Sequence, residues 1–178
     1  MIGVDIGGTN LLFGIVDNGK VLQRKHEAIN NRDFKSVVNQ VCDNIQSLMP
    51  NPETIGIAVA GSVDANAGVV LRAQNLGWDN APLANEVSQK LQCATVIEND
   101  VTASAWGEFN FGAGKESSSM LAVWIGTGIG GGLVLNDKIW RGPMGTGGEF
   151  GMSISETVAL HENRELEAYA SRSGFQKI

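Results

Sequence analysis

Two carboxylates and two glycine turns are the places where this chain could do chemistry. Asp5 ends an apolar run and leads into Gly7-Gly8-Thr9-Asn10, while Trp124-Ile125 leads into Gly126-Thr127-Gly128-Ile129-Gly130-Gly131-Gly132. Each segment reads as a buried strand, a turn of glycines and Thr, and a second strand returning alongside. Glycines in such a turn let backbone N–H groups approach an anion with no Cβ in the way, and the Thr hydroxyl adds a donor. A single turn of this kind is usually just a tight hairpin. A matched pair, one per half of the chain, suits a duplicated fold that grips a polyphosphate from both sides. Asp5 is acidic where a phosphate would sit, which is unfavourable unless Mg²⁺ lies between them, so Asp5 reads as a magnesium-side residue acting through water. Glu98-Asn99-Asp100 follows a short apolar strand and precedes a helix, at the end of a sheet where open α/β folds place ligands. Asp100 there can cap the helix and also accept the proton of an attacking hydroxyl, as the general base of phosphoryl transfer.

Competing chemistries are excluded by what surrounds these residues. A dinucleotide fingerprint must open a helix, yet Gly130 is followed by Gly131-Gly132-Leu133-Val134-Leu135, a strand pattern. Lys115 follows Gly114 but precedes Glu116, so no P-loop is present. Cys42 and Cys93 lie far apart in apolar patterns and read as reduced core thiols. His26 and His161 are the only histidines, and neither has a metal-ligand neighbour at useful spacing. A formal charge of -6 argues against nucleic acid or an anionic membrane as the main partner, since both call for basic patches. With no apolar run of membrane-spanning length and a first strand starting at Ile2, the expected location is the cytoplasm.

Positioning these groups requires a layered α/β fold, and 178 residues can bury its core. Strands are expected over residues 2–6, 11–16 and 21–28, with a turn at Asp17-Asn18-Gly19. A helix opened by Asp33 carries Phe34, Val37, Val38, Val41, Ile45 and Leu48 on one face, and Pro50 and Pro52 close it. Residues 55–60 read as a buried parallel strand, Pro82 starts a second helix, and residues 95–97 form another short strand before the helix at Asp100. Residues 120–125 begin a second half that continues through a glycine-rich loop, 142–151, to a last helix over 162–170. The expected domains are 1–110, with the first turn and Asp100, and 111–178, a second lobe that looks incomplete. Asn75-Leu76-Gly77-Trp78 and Gly147-Gly148-Glu149-Phe150-Gly151 are loops whose polar groups suit a polyhydroxylated ligand. Trp78 could stack on a sugar, although a loop Trp more often packs.

Seven segments, in order, resemble the N-terminal portion of ROK-family sugar kinases, glucokinase-like members above all. They are Asp5-Ile6-Gly7-Gly8-Thr9-Asn10, Gly61-Ser62-Val63-Asp64, Asn75-Leu76-Gly77-Trp78, Glu98-Asn99-Asp100 with Ala103-Ser104-Ala105-Trp106-Gly107-Glu108, Gly126 to Gly132, Gly148-Glu149-Phe150-Gly151, and Leu166-Glu167-Ala168-Tyr169-Ala170-Ser171. The resemblance implies an actin-like ATPase (ribonuclease H-like) fold whose two lobes close over a hexose and MgATP. It implies Asp100 as base, Asp5, Gly7, Gly8, Thr9, Asn10, Gly126, Thr127 and Gly128 near the phosphates, and Asn99, Glu149, Glu167, Gly61 and Asn75 at the sugar. The family's structural zinc is expected to be absent. Met152 stands where the family has a zinc-binding His, or that His is deleted, and residues 159–165 replace the zinc cysteines. The chain also ends at Ile178, ahead of the family's remaining half-lobe. Phosphorylation of glucose is therefore the expected function, with a non-catalytic sugar-binding or partner-binding protein as the alternative. A homo-oligomer is possible. The repressor branch, which carries a leading helix-turn-helix, is not expected with a first strand at Ile2.

Overall fold

Alternation at the N-terminus builds the central sheet. In the computed structural model, which describes residues 1–143, 145–153 and 165–175, the first strand is β1 (Ile2–Ile6), with Ile2, Val4 and Ile6 buried on one face and Asp5 on the other. It turns back antiparallel into β2 (Asn10–Asp17) and then β3 (Lys20–Ala28). The β2–β3 turn has Asn18 at φ 48° and Gly19 at φ 74°, the left-handed pair that suits the twist of a two-residue hairpin. Helix α1 (Phe34–Leu48) is capped by Asp33, whose Oδ2 accepts from Ser36 N at 3.1 Å, and buries Val37, Val38, Val41, Cys42 and Ile45. The next sheet strand, β4 (Thr54–Val59), pairs parallel with β1.

A small antiparallel sheet follows, additional to the expected elements: β5 (Ser62–Asp64), β6 (Val69–Ala73) and β7 (Trp78–Ala81). Its first turn is built by residues 64–68. Asp64 Oδ1 accepts from Asn66 N at 3.1 Å and Ala67 N at 2.9 Å, and Gly68 adopts φ 70°. Helix α2 (Leu83–Leu91) then leads to β8 (Ala94–Asn99), parallel to β4. The main sheet runs β3-β2-β1-β4-β8, the mixed arrangement expected for an α/β layer fold.

The chain divides into two compact units, Met1–Asp100 and Val101–Ile178. The division falls at the start of α3 (Asp100–Phe111), whereas composition had pointed to its end, because the helix packs against the strands that follow it. Those are β9 (Met120–Ile125), β10 (Ile129–Leu135) and the short β11 (Lys138–Ile139), in the order β11-β10-β9. Gly130, Gly131 and Gly132 lie inside β10, not in the turn, which is confined to residues 126–128. The reason is close packing. A Cβ at Gly130 would meet Val101 and one at Gly132 would meet Ala105, both on α3, while one at Gly131 would strike Phe150. A 3₁₀ turn (Phe150–Met152) and two short helices, α4 (Leu166–Ala170) and α5 (Arg172–Phe175), complete the described part. The start of the last expected helix, residues 162–164, lies outside the described residues.

Cys42 and Cys93 are both buried and free, as two reduced core thiols would be. Burial pushes the Cys42 thiol up to about 11, with Lys90 pulling it back slightly and Asp43 adding to the rise. Both thiols are expected to react with a disulfide reagent at neutral pH only as fast as the protein unfolds. Rapid labelling of the folded protein, followed by absorbance, would contradict this packing.

Candidate functional site

Register places the candidate groups of the first unit at one edge of the sheet. Because β1, β4 and β8 are parallel, Asp5 lies level with Ala58 and Glu98, and Ile6 level with Val59 and Asn99. The carboxyl ends of all three strands therefore converge, and Ala60 N donates to Ile6 O at 3.1 Å to tie two of them together. Asp100 leaves the end of β8 as the first residue of α3, at the positive end of a twelve-residue helix.

The Gly7–Asn10 turn is closed by Gly7 N donating to Asn10 O at 3.0 Å and anchored by Ile29 N donating to Thr9 O at 2.8 Å. Asn10 Nδ2 donates to Thr9 Oγ1 at 2.9 Å, and both side chains are exposed. Gly8 packs directly on Asn75; a Cβ there would sit 3.0 Å from the Asn75 Cβ. Asn99 is a bridge. Its Nδ2 donates to Gly61 O at 3.1 Å and to Asp100 Oδ1 at 2.9 Å, so one amide fixes the candidate base against the loop after β4. Gly61 must be glycine, since a Cβ would run into the Arg72 carbonyl and Ala73 of β6. The small sheet thus supports both ends of the site, Gly61 through β6 and Asn75 through the β6–β7 loop.

Trp78 is not placed as a sugar platform. It is buried, its Nε1 donates to Arg32 O at 2.8 Å, and it meets Phe34 edge-to-face at 5.2 Å, so it anchors the Asn75 loop by packing.

Asp5 carries the clearest electrostatic signature. Partial enclosure and then the nearby Asp100 carboxylate raise its proton affinity above the ordinary value of 3.8. A hard divalent cation commonly binds through one or two carboxylates plus substrate phosphates, and Asp5 is a carboxylate of that kind. The raised value also sets a sign for stability. A carboxylate whose proton affinity rises on folding opposes the folded state once ionised, so its contribution declines as pH climbs from 3.8 through the raised value. Asp5→Asn is therefore expected to raise Tm at pH 7 and to bring no gain below about pH 4. Thermal melts of both proteins across that range check it; an unchanged or lower Tm at pH 7 would contradict the like-charge pairing.

In the second unit the Gly126–Gly128 turn is closed by Gly126 N donating to Gly128 O at 2.8 Å. The Glu167 carboxylate lies against it, with Oε2 accepting from Ile129 N at 2.7 Å. Arg172 N donates to Gly126 O at 2.8 Å on the other flank. Thr127, Gly128, Glu167 and Ser171 are among the residues lining a cavity of about 300 Å³. Residues 148–151 run along β10, with Gly151 against Ile129 and Glu167, and Glu149 is exposed beside them. Met152 is exposed, and His161 lies outside the described residues. Among the described residues, no group of three or more His, Cys, Asp or Glu could hold a metal. No helix there is long and apolar enough to cross a membrane.

The ROK family pattern matches residues 1–177. The chain belongs to the ROK family. This ROK protein is 34% identical over 152 residues to a glucokinase of Streptomyces coelicolor, covering 84% of the chain and 48% of that enzyme. It is 32% identical over 161 residues to a xylose repressor of Caldicellulosiruptor bescii, covering 85% of the chain and 40% of the repressor. A ROK glucokinase of Streptomyces griseus, solved with glucose and AMPPNP, superposes with a TM-score of 0.84 at 35% identity over 99% of the chain and 59% of that protein. The fold is therefore that of the actin-like ATPases, and the chain spans about half the length of the glucokinase it matches.

Proposed function

We propose that this chain carries the base and phosphate turns of an ATP-dependent hexose kinase acting on glucose to give glucose 6-phosphate in the cytoplasm. The observation that carries the reading is the convergence of the β1, β4 and β8 ends, which sets Asp100 at a helix start near Asp5, on the strand that leads into the Gly7–Asn10 turn. The sugar hydroxyl oxygen attacks the γ-phosphorus as its proton passes to an Asp100 carboxylate oxygen. The bond between that phosphorus and the bridging oxygen breaks, and ADP leaves. Gly7, Gly8, Thr9 and Asn10, and likewise Gly126, Thr127 and Gly128, would offer amides and hydroxyls to phosphates. Asp5 would hold Mg²⁺, through water, which when bound offsets phosphate charge. Gly61, Asn75, Asn99, Glu149 and Glu167 supply the polar groups for sugar hydroxyls.

A second reading, a sugar-binding or partner-binding protein without turnover, draws on the likeness to a xylose repressor. Thermal melts separate the two. The kinase reading expects Tm to rise with glucose and, independently, with MgATP. A rise with glucose alone would favour the non-catalytic reading.

A further inference from the structure

We infer that Glu167 is a positioning residue for the second phosphate turn, a role distinct from any contact it makes with sugar. The inference rests on reading the Gly126–Gly128 turn as a phosphate site. Of the amides at this turn, Gly126 N is held by Gly128 O and Ile129 N by Glu167 Oε2, at 2.8 and 2.7 Å. A phosphate is thereby directed to Thr127 and Gly128, the two residues between those fixed points. The fit is tight, because a Cβ on Gly128 or on Gly151 would press on the Glu167 carboxylate. The segment bearing Glu167 is itself tied down on both sides. Leu166 N donates to Ser153 O at 2.8 Å and Arg172 N to Gly126 O at 2.8 Å. A charge-assisted bond to a backbone N–H is among the stronger single contacts, so this one carboxylate sets where β10 begins and how the turn presents its donors. Two phosphate turns in one chain would then work differently: Asp5 would meet the phosphate side through a cation, while Glu167 holds Ile129 N and shapes the turn.

Three single variants and one double variant test this without depending on turnover. Glu167→Ala should speed hydrogen exchange of the Ile129 amide and weaken binding of a non-hydrolysable ATP analogue, each by about tenfold, the size of one lost charge-assisted bond. Glu167→Gln keeps an acceptor oxygen and should retain most of the Ile129 protection and nucleotide affinity. Gly128→Ala, with Glu167 intact, should displace the carboxylate and reproduce the Glu167→Ala losses, and combining the two should add little further. This variant also keeps the test open if Glu167→Ala fails to fold. If the chain turns over, KM for MgATP should rise in Glu167→Ala and recover in Glu167→Gln. Unchanged Ile129 exchange, or a loss confined to sugar affinity, would overturn the positioning role. Absence of turnover in the unaltered chain would count against the kinase reading while leaving the amide-exchange result to decide this one.

Discussion

Asp100→Asn is expected to lower kcat by about 10²- to 10⁴-fold while leaving glucose affinity nearly intact. Asn has the same shape, and its side-chain oxygen can still accept from Asn99 Nδ2, the 2.9 Å bond that fixes residue 100 in the structure. What it cannot do is take the hydroxyl proton. The loss therefore belongs in kcat and not in sugar binding, since it removes an interaction needed only as the proton moves. Coupled kinetics and a calorimetric glucose titration on the same preparation check both halves. Near-normal turnover in this variant would show that another group is the base, and loss of glucose binding would show that Asp100 mainly holds the sugar.

Gly132→Ala is expected to destabilise the second unit by about 1–3 kcal/mol, the usual cost of forcing a methyl group into a packed contact. Its Cβ would land on the Ala105 Cβ of α3, the helix whose first residue is Asp100. Gly126→Ala is the control, because a Cβ there meets nothing within 4 Å, and it should cost less than about 0.5 kcal/mol. Denaturant melts of the two variants decide the matter. Equal losses would mean that the glycines of β10 are not there for helix packing.

Much of the fold was legible because periodicity is a strong signal where one face is buried. Ile2, Val4 and Ile6 alternate, and Val37, Val38, Val41 and Ile45 recur at helical spacing. Both elements formed with boundaries close to those expected. The small β5-β6-β7 sheet was not legible, since its strands are three to five residues long and its turn is made by Asp64 and Gly68 between ordinary residues. The glycine run at 126–132 misled in a different way. Glycine that makes room for a neighbouring helix is written with the same letter as glycine that turns a chain, and only the contacts with Val101 and Ala105 separate the two.

The same limit applies to the candidate site. Asp100 stood out through its place between a strand and a helix, and the structure sets it near Asp5, a pairing that needed the parallel β1-β4-β8 order to become visible. The bridge from Asn99 to Gly61 spans 38 residues of sequence, and so does the bond from Ile129 to Glu167. No local pattern announces either one. Polar side chains in loops mark a region where ligands can be held; their partners are fixed by topology.

Sugar-dependent release of ADP by this 178-residue chain is the decisive measurement, followed by a coupled absorbance assay with glucose, mannose, fructose and N-acetylmannosamine in turn. Turnover that requires a sugar, is fastest with glucose and falls at least a hundredfold in Asp100→Asn is the predicted result. No sugar-dependent ADP release from a folded sample that binds glucose would contradict kinase activity in this chain.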